Sequence, residues 1–463
     1  MTPLDYTNRY CIVGGGASGI TTAKNLREHS ILFDLIERED DLGGNWYYNK
    51  PCSSIYKSVH MISSKKFSAY TDFPIPNDCP TYLRAEQALN YLRRYAGHFG
   101  VYEHTEFGRS VIEIMPVADT ELWDVTLDRG ETRRYRGVFI ANGHLVKPNL
   151  PHYPGHFNGV QLHSSQYKTP DVLAGKRILV VGAGNSGCDI AVEAVHHGTA
   201  VFHSTRRGYY YWPKFLFGMP ADEWAEWPLR FRLPLWCRRF FGKHVLRMFT
   251  SGKPEDYGLP KPDHELFEVH FIINTTLFYH LGHGDVIAKR DVRELRGDRV
   301  AFADGTEEMI DVIVYATGFH PCFPFIDHEY LSWSKERPQL YINIFDPQHQ
   351  NLFFIGLFQT STGNWPLMDY QAQLVARYIK AREFAPKKAA RLTHLIANDH
   401  KKSNGGIRFT KVSRHAIEVE HFSYRSKLRR LIAGLPGPPA AARDLPLQPA
   451  TLSLSSGAGG RRT

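Results

Sequence analysis

Two stretches of this sequence share one pattern, and that pattern leaves few folds open. In each, an uninterrupted apolar run leads into three glycines spaced G-x-G-x-x-G. One has Ile178, Leu179, Val180 and Val181 before Gly182-Ala-Gly184-Asn-Ser-Gly187; the other has Tyr10, Cys11, Ile12 and Val13 before Gly14-Gly-Gly16-Ala-Ser-Gly19. An apolar run without alternation suits a strand buried on both faces. The glycines permit a tight turn, close backbone approach to a pyrophosphate and close helix–strand packing. A helix that follows directs its free N–H groups at the phosphates. One copy alone is a weak signal. Two copies, each in a strand–turn–helix context, predict an α/β chain with two dinucleotide-binding Rossmann-like domains, whose nucleotides meet for electron transfer.

The residues after each turn distinguish the two sites. In the first unit, residues 9 to 37, the run Ile20–Glu28 is helical in composition and Ile31–Ile36 reads as a strand. It ends in Glu37, 18 residues after Gly19, where a carboxylate accepts hydrogen bonds from a ribose diol. In the second unit the strand Ala200–His203 is followed by no acid. The chain reads Ser204-Thr-Arg206-Arg207-Gly208, and an arginine there pairs with a 2′-phosphate. NADPH is therefore expected over NADH, with Arg206 on the phosphate and Ser204 nearby. The predicted contacts are Gly14, Gly16, Ala17, Ser18, Gly19 and Glu37 at the first site. At the second they are Gly182, Gly184, Asn185, Ser186, Gly187, Asp189, Ser204 and Arg206.

Just before the second turn stands Phe157-x-Gly159-x-x-x-His163-Ser164-x-x-Tyr167. It resembles the fingerprint of the flavin-containing monooxygenases, a family of class B flavoprotein monooxygenases. The resemblance runs over most of the chain, from about residue 8 to residue 430, and suggests a soluble bacterial-type member. Leu42-Gly43-Gly44-Asn45-Trp46 is similar to the segment that lies along the flavin in that family, so the resemblance adds Gly44 and Trp46 to the FAD contacts. Tyr56-Lys57-Ser58-Val59 and Asp72-Phe73-Pro74 are further landmarks. Ala316-Thr317-Gly318 matches the linker motif of flavoprotein and N-hydroxylating monooxygenases, and Thr317 and Gly318 join the cofactor-contact set. The helix from about Leu367 to Arg382, after Gly363-Asn364-Trp365-Pro366, would aim its N-terminus at the flavin pyrimidine.

The resemblance implies an FAD- and NADPH-dependent monooxygenase similar to N,N-dimethylaniline monooxygenase. NADPH would reduce FAD, and reduced flavin and O2 would give a C4a-hydroperoxide that oxygenates an amine nitrogen or a thioether sulfur. No side-chain acid–base pair is required, and His163 reads as structural or nucleotide-positioning. Aligning the two landmarks without gaps brings Ile62 to a position where the family usually has an asparagine beside the reactive flavin edge. Isoleucine cannot donate a hydrogen bond there. Ile62 and Ser63 are the candidate catalytic positions, Ser63 also as a cofactor contact, with His60 and Ser64 as other donors. A Baeyer–Villiger ketone monooxygenase is the nearest alternative, but its fingerprint ends in tryptophan followed by Pro or Asp, against Tyr167-Lys168 here. An uncoupled NADPH oxidase and a non-catalytic FAD-binding redox sensor are the others.

Composition closes off other classes. The 463 residues are 43% hydrophobic and 22% charged, as in an ordinary globular protein. No apolar run reaches the length of about 18 residues that a membrane helix needs, and MTPLDYTNRY carries no secretory signal. A cytoplasmic location is expected. Cysteines 11, 52, 79, 188, 237 and 322 include no C-x-x-C pair, which argues against a disulfide framework, a dithiol reductase and a zinc site. No metal is expected. The net charge of +9 is spread along the chain, and no groove-reading motif points to nucleic acid. The expected partners are a small-molecule substrate and O2, in a monomer or homodimer.

The expected organisation is a discontinuous FAD-binding domain, 1–165 and 311–432, interrupted by an NADP-binding domain, 166–310. Residues 82–99 read as an amphipathic helix, Leu122–Leu127 as a strand, and Val138–Ala141 as a strand returning to the edge of the flavin domain. An aromatic and basic insertion spans about 209–285. Between Glu226 and Glu255 it holds no acid, while Arg230, Arg232, Arg238, Arg239, Lys243 and Arg247 lie there. A lid over the active site is the first reading of residues 209–250, a membrane-surface helix the second, and inter-domain packing is equally open. Residues 433–463, rich in Pro, Gly, Ala and Ser, are expected to be disordered.

Overall fold

A computed structural model describes residues 2–230, 233–249, 252–334, 337–399, 404–409 and 417–438. The chain opens with β1 (Leu4–Val13), α1 (Ala17–Glu28) and β2 (Phe33–Glu37). A short helix α2 (Lys65–Ser68) and the amphipathic α3 (Ala85–His98) follow. Then come β3 (Thr105–Phe107), β4 (Val111–Pro116), β5 (Trp123–Leu127) and β6 (Thr132–Ile140). These strands form a sheet in the order β3-β2-β1-β6-β5-β4. Within β1, Tyr10 and Ile12 enter one hydrophobic core while Cys11 and Val13 enter another on the opposite face. That two-sided burial explains why the strand has no polar alternation.

The chain then crosses to a second body through β7 (Lys147–Pro148), β8 (Gly155–Phe157) and β9 (Val160–His163). Next are β10 (Arg177–Val181), α4 (Asn185–Val195) and β11 (Ala200–Ser204). The insertion contributes a two-strand ribbon, β12 (Phe215–Leu216) and β13 (Met219–Pro220), and helices α5 (Ala221–Arg230), α6 (Leu235–Phe249) and α7 (Thr276–His283). Phe231 and Arg232 of the insertion lie outside the described residues. Strands β14 (Val286–Lys289), β15 (Val292–Gly297), β16 (Arg299–Phe302), β17 (Glu307–Met309) and β18 (Val312–Tyr315) complete this body. Its parallel sheet runs β14-β11-β10-β18-β9, and β17-β16-β15-β8 forms a second layer. Ile178 and Val180 pack on one side of β10 and Leu179 and Val181 on the other. Strands β8, β9 and β18, outside the span 166–310 expected for this body, hydrogen-bond within its two sheets.

The return passes β19 (Phe319–His320), paired with β7, and the ribbon of β20 (Trp333–Ser334) and β21 (Arg337–Pro338). Strand β22 (Leu352–Phe354) then pairs with β6. This places β6 inside the first sheet, between β1, β5 and β22, with the strand expected at Val138–Ala141 buried within it. Helices α8 (Trp365–Phe384), α9 (Pro386–Asn398) and α10 (His421–Ala433) close the fold. Of the tail expected to be disordered, residues 439–463 lie outside the described residues.

One buried polar node fixes α1 against α8. Asp369, fully buried, accepts hydrogen bonds from Thr21 Oγ1 (2.9 Å), Asn25 Nδ2 (2.8 Å) and Gln373 Nε2 (3.0 Å), and from Thr71. Beside it, buried Lys24 pairs with Asp72 and with Glu28. Burial opposes the Lys24 charge, but Asp369, Asp72 and Glu28 outweigh it and its pKa rises. Asp72 of the Asp-Phe-Pro landmark is thus a structural counter-ion. Removing one partner of such a buried pair costs about 3–5 kcal/mol.

Candidate active site

The first glycine turn is tightly built. Gly14 has φ +104° and donates its N–H to the Ile36 carbonyl (2.9 Å). A Cβ at Gly19 would overlap the Gly14 carbonyl oxygen, so only glycine lets α1 start this close to β1. Gly44, at φ +52°, faces the turn backbone to backbone: a Cβ on it would lie 2.7 Å from the Gly16 Cα. The short helix Gly44–Trp46 brings Trp46 edge-on to Trp365, with ring centroids 5.9 Å apart. Ala17 accepts a hydrogen bond from Tyr70 Oη at its carbonyl (2.6 Å). The buried Ser18 hydroxyl meets Met368 Sδ (3.5 Å) at the start of α8. Glu37 holds the N–H groups of Gly15 (2.5 Å) and Glu39 (2.8 Å). Burial pushes its pKa up, against the lowering effect of those bonds.

The second turn repeats the geometry. Gly182 has φ +114°, and a Cβ there would lie 2.5 Å from the Ala316 carbonyl oxygen. Gly187 abuts the Gly182 carbonyl as Gly19 abuts that of Gly14, and α4 starts from Gly184. Ser186 is exposed. Asn185 and Asp189 are engaged within the chain: Asn185 Oδ1 accepts from the Ile273 N–H (2.7 Å), and Asp189 accepts from Asn274 Nδ2 (2.7 Å) and Tyr56 Oη (3.4 Å). Burial raises the Asp189 pKa. Ser204 is buried and donates its hydroxyl to the Arg290 carbonyl (2.7 Å). Arg206 is exposed and, among the described residues, carries no hydrogen bond or ion pair. Its neighbour Arg207 is held by Asp263 through two bonds of 2.8 and 3.0 Å.

The fingerprint and linker residues join the two bodies. His163 places Nε2 3.0 Å from the Gly318 carbonyl and its ring edge-on to Phe319. Burial lowers its pKa. Thr317 donates to the Asn149 carbonyl (2.5 Å), and Gly318 turns at φ +83°. Tyr167 donates to Glu193 (2.6 Å) and packs on Tyr56, and Lys168 reaches the carbonyls of Ser53 and Ile55. These contacts make the stretch a joint between sheets.

Sequence reasoning missed the residue that ties three segments of the candidate site together. Asp222, in the first turn of α5, accepts from the Ser64 N–H (2.7 Å) and from Thr362 Oγ1 (3.3 Å). It thereby connects the insertion, the Ile62-Ser63-Ser64 segment and the loop entering α8. Burial raises its pKa. Ile62 is half-buried; Ser63 pairs with Ser68, Oγ to Oγ at 2.9 Å. His60 lays Nδ1 on the Ser58 carbonyl (2.9 Å). Three polar atoms in this neighbourhood, Ser64 Oγ, Thr360 Oγ1 and Asn364 Oδ1, are buried without a partner. Orphaned groups of this kind mark a place where a polar ligand completes the bonding. Further contacts join the insertion to the first body: Tyr82 Oη donates to the Lys214 carbonyl (2.5 Å), and Glu223 pairs with Lys66 (2.9 Å), Glu226 with Arg425 (2.8 Å) and His270 with Glu418 (3.2 Å). The only sequence signal for Asp222 is an acid at a helix start.

These features fit two dinucleotides: two tight glycine turns, in which a Cβ at Gly14, Gly19, Gly182 or Gly187 would meet backbone within 3 Å, each opening onto a helix N-terminus. A family model described as flavin-binding monooxygenase-like matches residues 7–442. Flavin-containing monooxygenase 1 of Homo sapiens is 31% identical over 454 residues, 92% of this chain and 84% of that protein. Dimethylaniline monooxygenase 2 (N-oxide-forming) of Oryctolagus cuniculus is 30% identical over 453 residues, 92% of this chain and 83% of that protein. Cyclohexanone monooxygenase from Rhodococcus sp. Phi1 bound to NADP+ superposes with a TM-score of 0.67 at 19% identity, over 93% of this chain and 98% of that one. At that identity the likeness is one of fold.

Proposed function

The chain belongs to the flavin-binding monooxygenase-like family of FAD- and NADPH-dependent enzymes, and on that premise we propose that it inserts one oxygen atom of O2 into an amine nitrogen or a thioether sulfur. The observation that carries the reading is the Asp222 node, which draws three separate segments together beside the orphaned polar atoms. N-oxide formation by a relative of 30% identity supports a nitrogen substrate.

When bound, FAD reduced by NADPH supplies the oxygen-activating chemistry. The chain's own residues bind and enclose. The Gly14–Gly19 turn and the α1 N-terminus would hold the FAD pyrophosphate, and Glu37 its ribose. Gly44 and Trp46 would lie along the flavin. The Gly182–Gly187 turn would hold the NADPH pyrophosphate, and Arg206 its 2′-phosphate. Asp222 holds α5 over the Ser64 and Thr362 segments, and a closed site keeps water from the reacting centre. Ser63 and Ser64 are the hydroxyls nearest in sequence to Ile62; Ser63 pairs with Ser68, and Ser64 sits against Asp222.

A second reading has one observation in its favour. Ile62 offers no hydrogen bond at the position where the family resemblance expects an amide, so part of the reduced coenzyme would be spent in releasing H2O2. The test is NADPH and O2 consumption with a panel of amines, thioethers and ketones, with product and H2O2 quantified. Oxygenation of ketones alone would sink the first reading, and H2O2 equal to NADPH with every compound would establish the second. Among the described residues no helix is long and apolar enough to cross a membrane, and a cytoplasmic location belongs to this reading.

A further inference from the structure

Lys214, just before β12, stands between the two bodies with its charge unanswered. Its backbone is pinned: the carbonyl accepts from the Tyr82 hydroxyl (2.5 Å), and Phe215 packs edge-on to the Tyr82 ring with centroids 5.4 Å apart. The ammonium lies 5.2 Å from the centre of that ring, which attracts a cation without neutralising it. The side chain is half-buried and, among the described residues, has no hydrogen bond or ion pair. Two other basic side chains approach it. His60 and Arg84 face each other across an isolated bridge between their segments, with Arg84 at the start of α3. Partial desolvation lowers the His60 pKa, and the charges of Lys214 and Arg84 lower it further.

The acids in reach are committed elsewhere. Asp189 faces Lys214 from α4, and the Lys214 charge is the chief influence opposing the rise that burial imposes on its pKa. Both Asp189 oxygens are nevertheless taken, by Asn274 and Tyr56. Asp222 holds Ser64 and Thr362, and Glu223 holds Lys66. The position of the free cation says what it serves. Asp189 lies about one helical turn past Asn185 at the second glycine turn, and His60 stands just before Met61-Ile62. Lys214 therefore sits between the coenzyme turn and the segment assigned to the reactive flavin edge. The anionic groups of NADPH have other seats, the pyrophosphate at Gly182–Gly187 and the 2′-phosphate at Arg206. A carboxylate suits the remaining one: an ammonium gives it a short, charge-assisted hydrogen bond, and a basic mouth concentrates an anionic substrate. We propose that Lys214 receives the carboxylate of the acceptor substrate, with Arg84 and His60 at the mouth, so that the enzyme prefers amines or thioethers that carry an acid group. This preference rests on the oxygen-transfer reading above.

The test pairs methylthiopropionate with its methyl ester, which share the sulfur and differ in charge at the far end. Flavin difference spectra of the flavin-loaded enzyme with NADP+ give the Kd of each, and turnover with NADPH and O2 gives kcat/KM. The acid is expected to bind and react about tenfold better than the ester or more, with the advantage shrinking as salt is added. Lys214→Gln should reduce the acid/ester ratio by about tenfold, and Lys214→Arg should keep most of it. Both variants keep the carbonyl that Tyr82 bonds, and flavin content and a thermal melt check their fold. Equal Kd and kcat/KM for acid and ester would overturn the proposal and leave oxygen transfer standing. A preference in Kd that Lys214→Gln abolishes, with neither compound oxygenated, would support the carboxylate seat and sink the oxygen-transfer reading. A preference that survives Lys214→Gln, or a raised KM for NADPH with the ratio unchanged, would overturn the proposal, the latter by assigning Lys214 to the coenzyme's phosphates.

Discussion

Arg206→Ala is the cleanest perturbation the molecule offers. The side chain is exposed and bonds to nothing else among the described residues, so its removal should leave stability within about 0.5 kcal/mol. Whatever changes is then a change in coenzyme binding. A hydrogen bond to a charged group contributes about 1.5–3 kcal/mol, and exposure argues for the lower end. The expected effect is a rise in KM for NADPH of about tenfold to thirtyfold, with KM for NADH nearly unchanged because NADH carries no 2′-phosphate. The rise should shrink as salt is added. Arg207→Ala is the matched control: its guanidinium already belongs to Asp263, and the NADPH/NADH preference should stay close to that of the unmutated enzyme. Initial rates with both coenzymes and a thermal melt of each variant suffice. Equal loss for NADPH and NADH, or a lowered melting temperature for Arg206→Ala, would show that the residue supports the fold and would remove the structural basis for NADPH selection.

Gly44→Ala would force a Cβ to 2.7 Å from the Gly16 Cα, so it, like Gly16→Val, should purify folded but colourless; stoichiometric flavin in either would place FAD elsewhere. Ile62→Asn should lower the H2O2 released per NADPH in the absence of substrate by severalfold, and an unmutated enzyme that releases none would show that Ile62 is no handicap. Asp222→Ala strands the Ser64 N–H and should cost about 1–3 kcal/mol and raise H2O2, whereas Asp222→Asn keeps an acceptor and should behave nearly as the unmutated protein; indistinguishable Ala and Asn variants in denaturation and peroxide assays would refute the latch. His421 is buried with both ring nitrogens unpartnered, and burial, with Arg425 nearby, pushes its pKa from 6.5 down to about 3. Its contribution is whole above the unfolded value and lost as pH falls toward the folded one, so His421→Phe should gain about 2 kcal/mol on the unmutated protein between about pH 8 and about pH 5. A pH-independent gap in urea denaturation would contradict this.

What could be read from the sequence was local. The apolar run before each glycine turn announces a strand buried on both faces, and the cores of β1 and β10 follow it residue by residue. Glu37 was legible because the length of α1 fixes where β2 ends. The Ser204 hydroxyl is engaged by a carbonyl 86 residues later, a contact that no local pattern encodes. Asp222 and Asp369 were invisible because each matters only through the segments it gathers, and those are distant in sequence.

The contacts that hold the insertion over the first body differ in weight, and the difference decides how it closes. Glu223–Lys66 and Glu226–Arg425 are partly exposed, and pairs of that kind contribute about 0–1 kcal/mol each. They are screened by salt and set orientation more than closure. Asp222 is half-buried, and the His270–Glu418 pair sits where water is excluded: His270 is 5% exposed and Glu418 2% in their side chains. Losing a partner there leaves a buried polar group uncompensated, so these two contacts respond to removal far more strongly. The insertion is therefore held at three places along its length: the Lys214 carbonyl, which accepts from the buried Tyr82 hydroxyl (2.5 Å), Asp222 in α5, and His270 in the segment before α7.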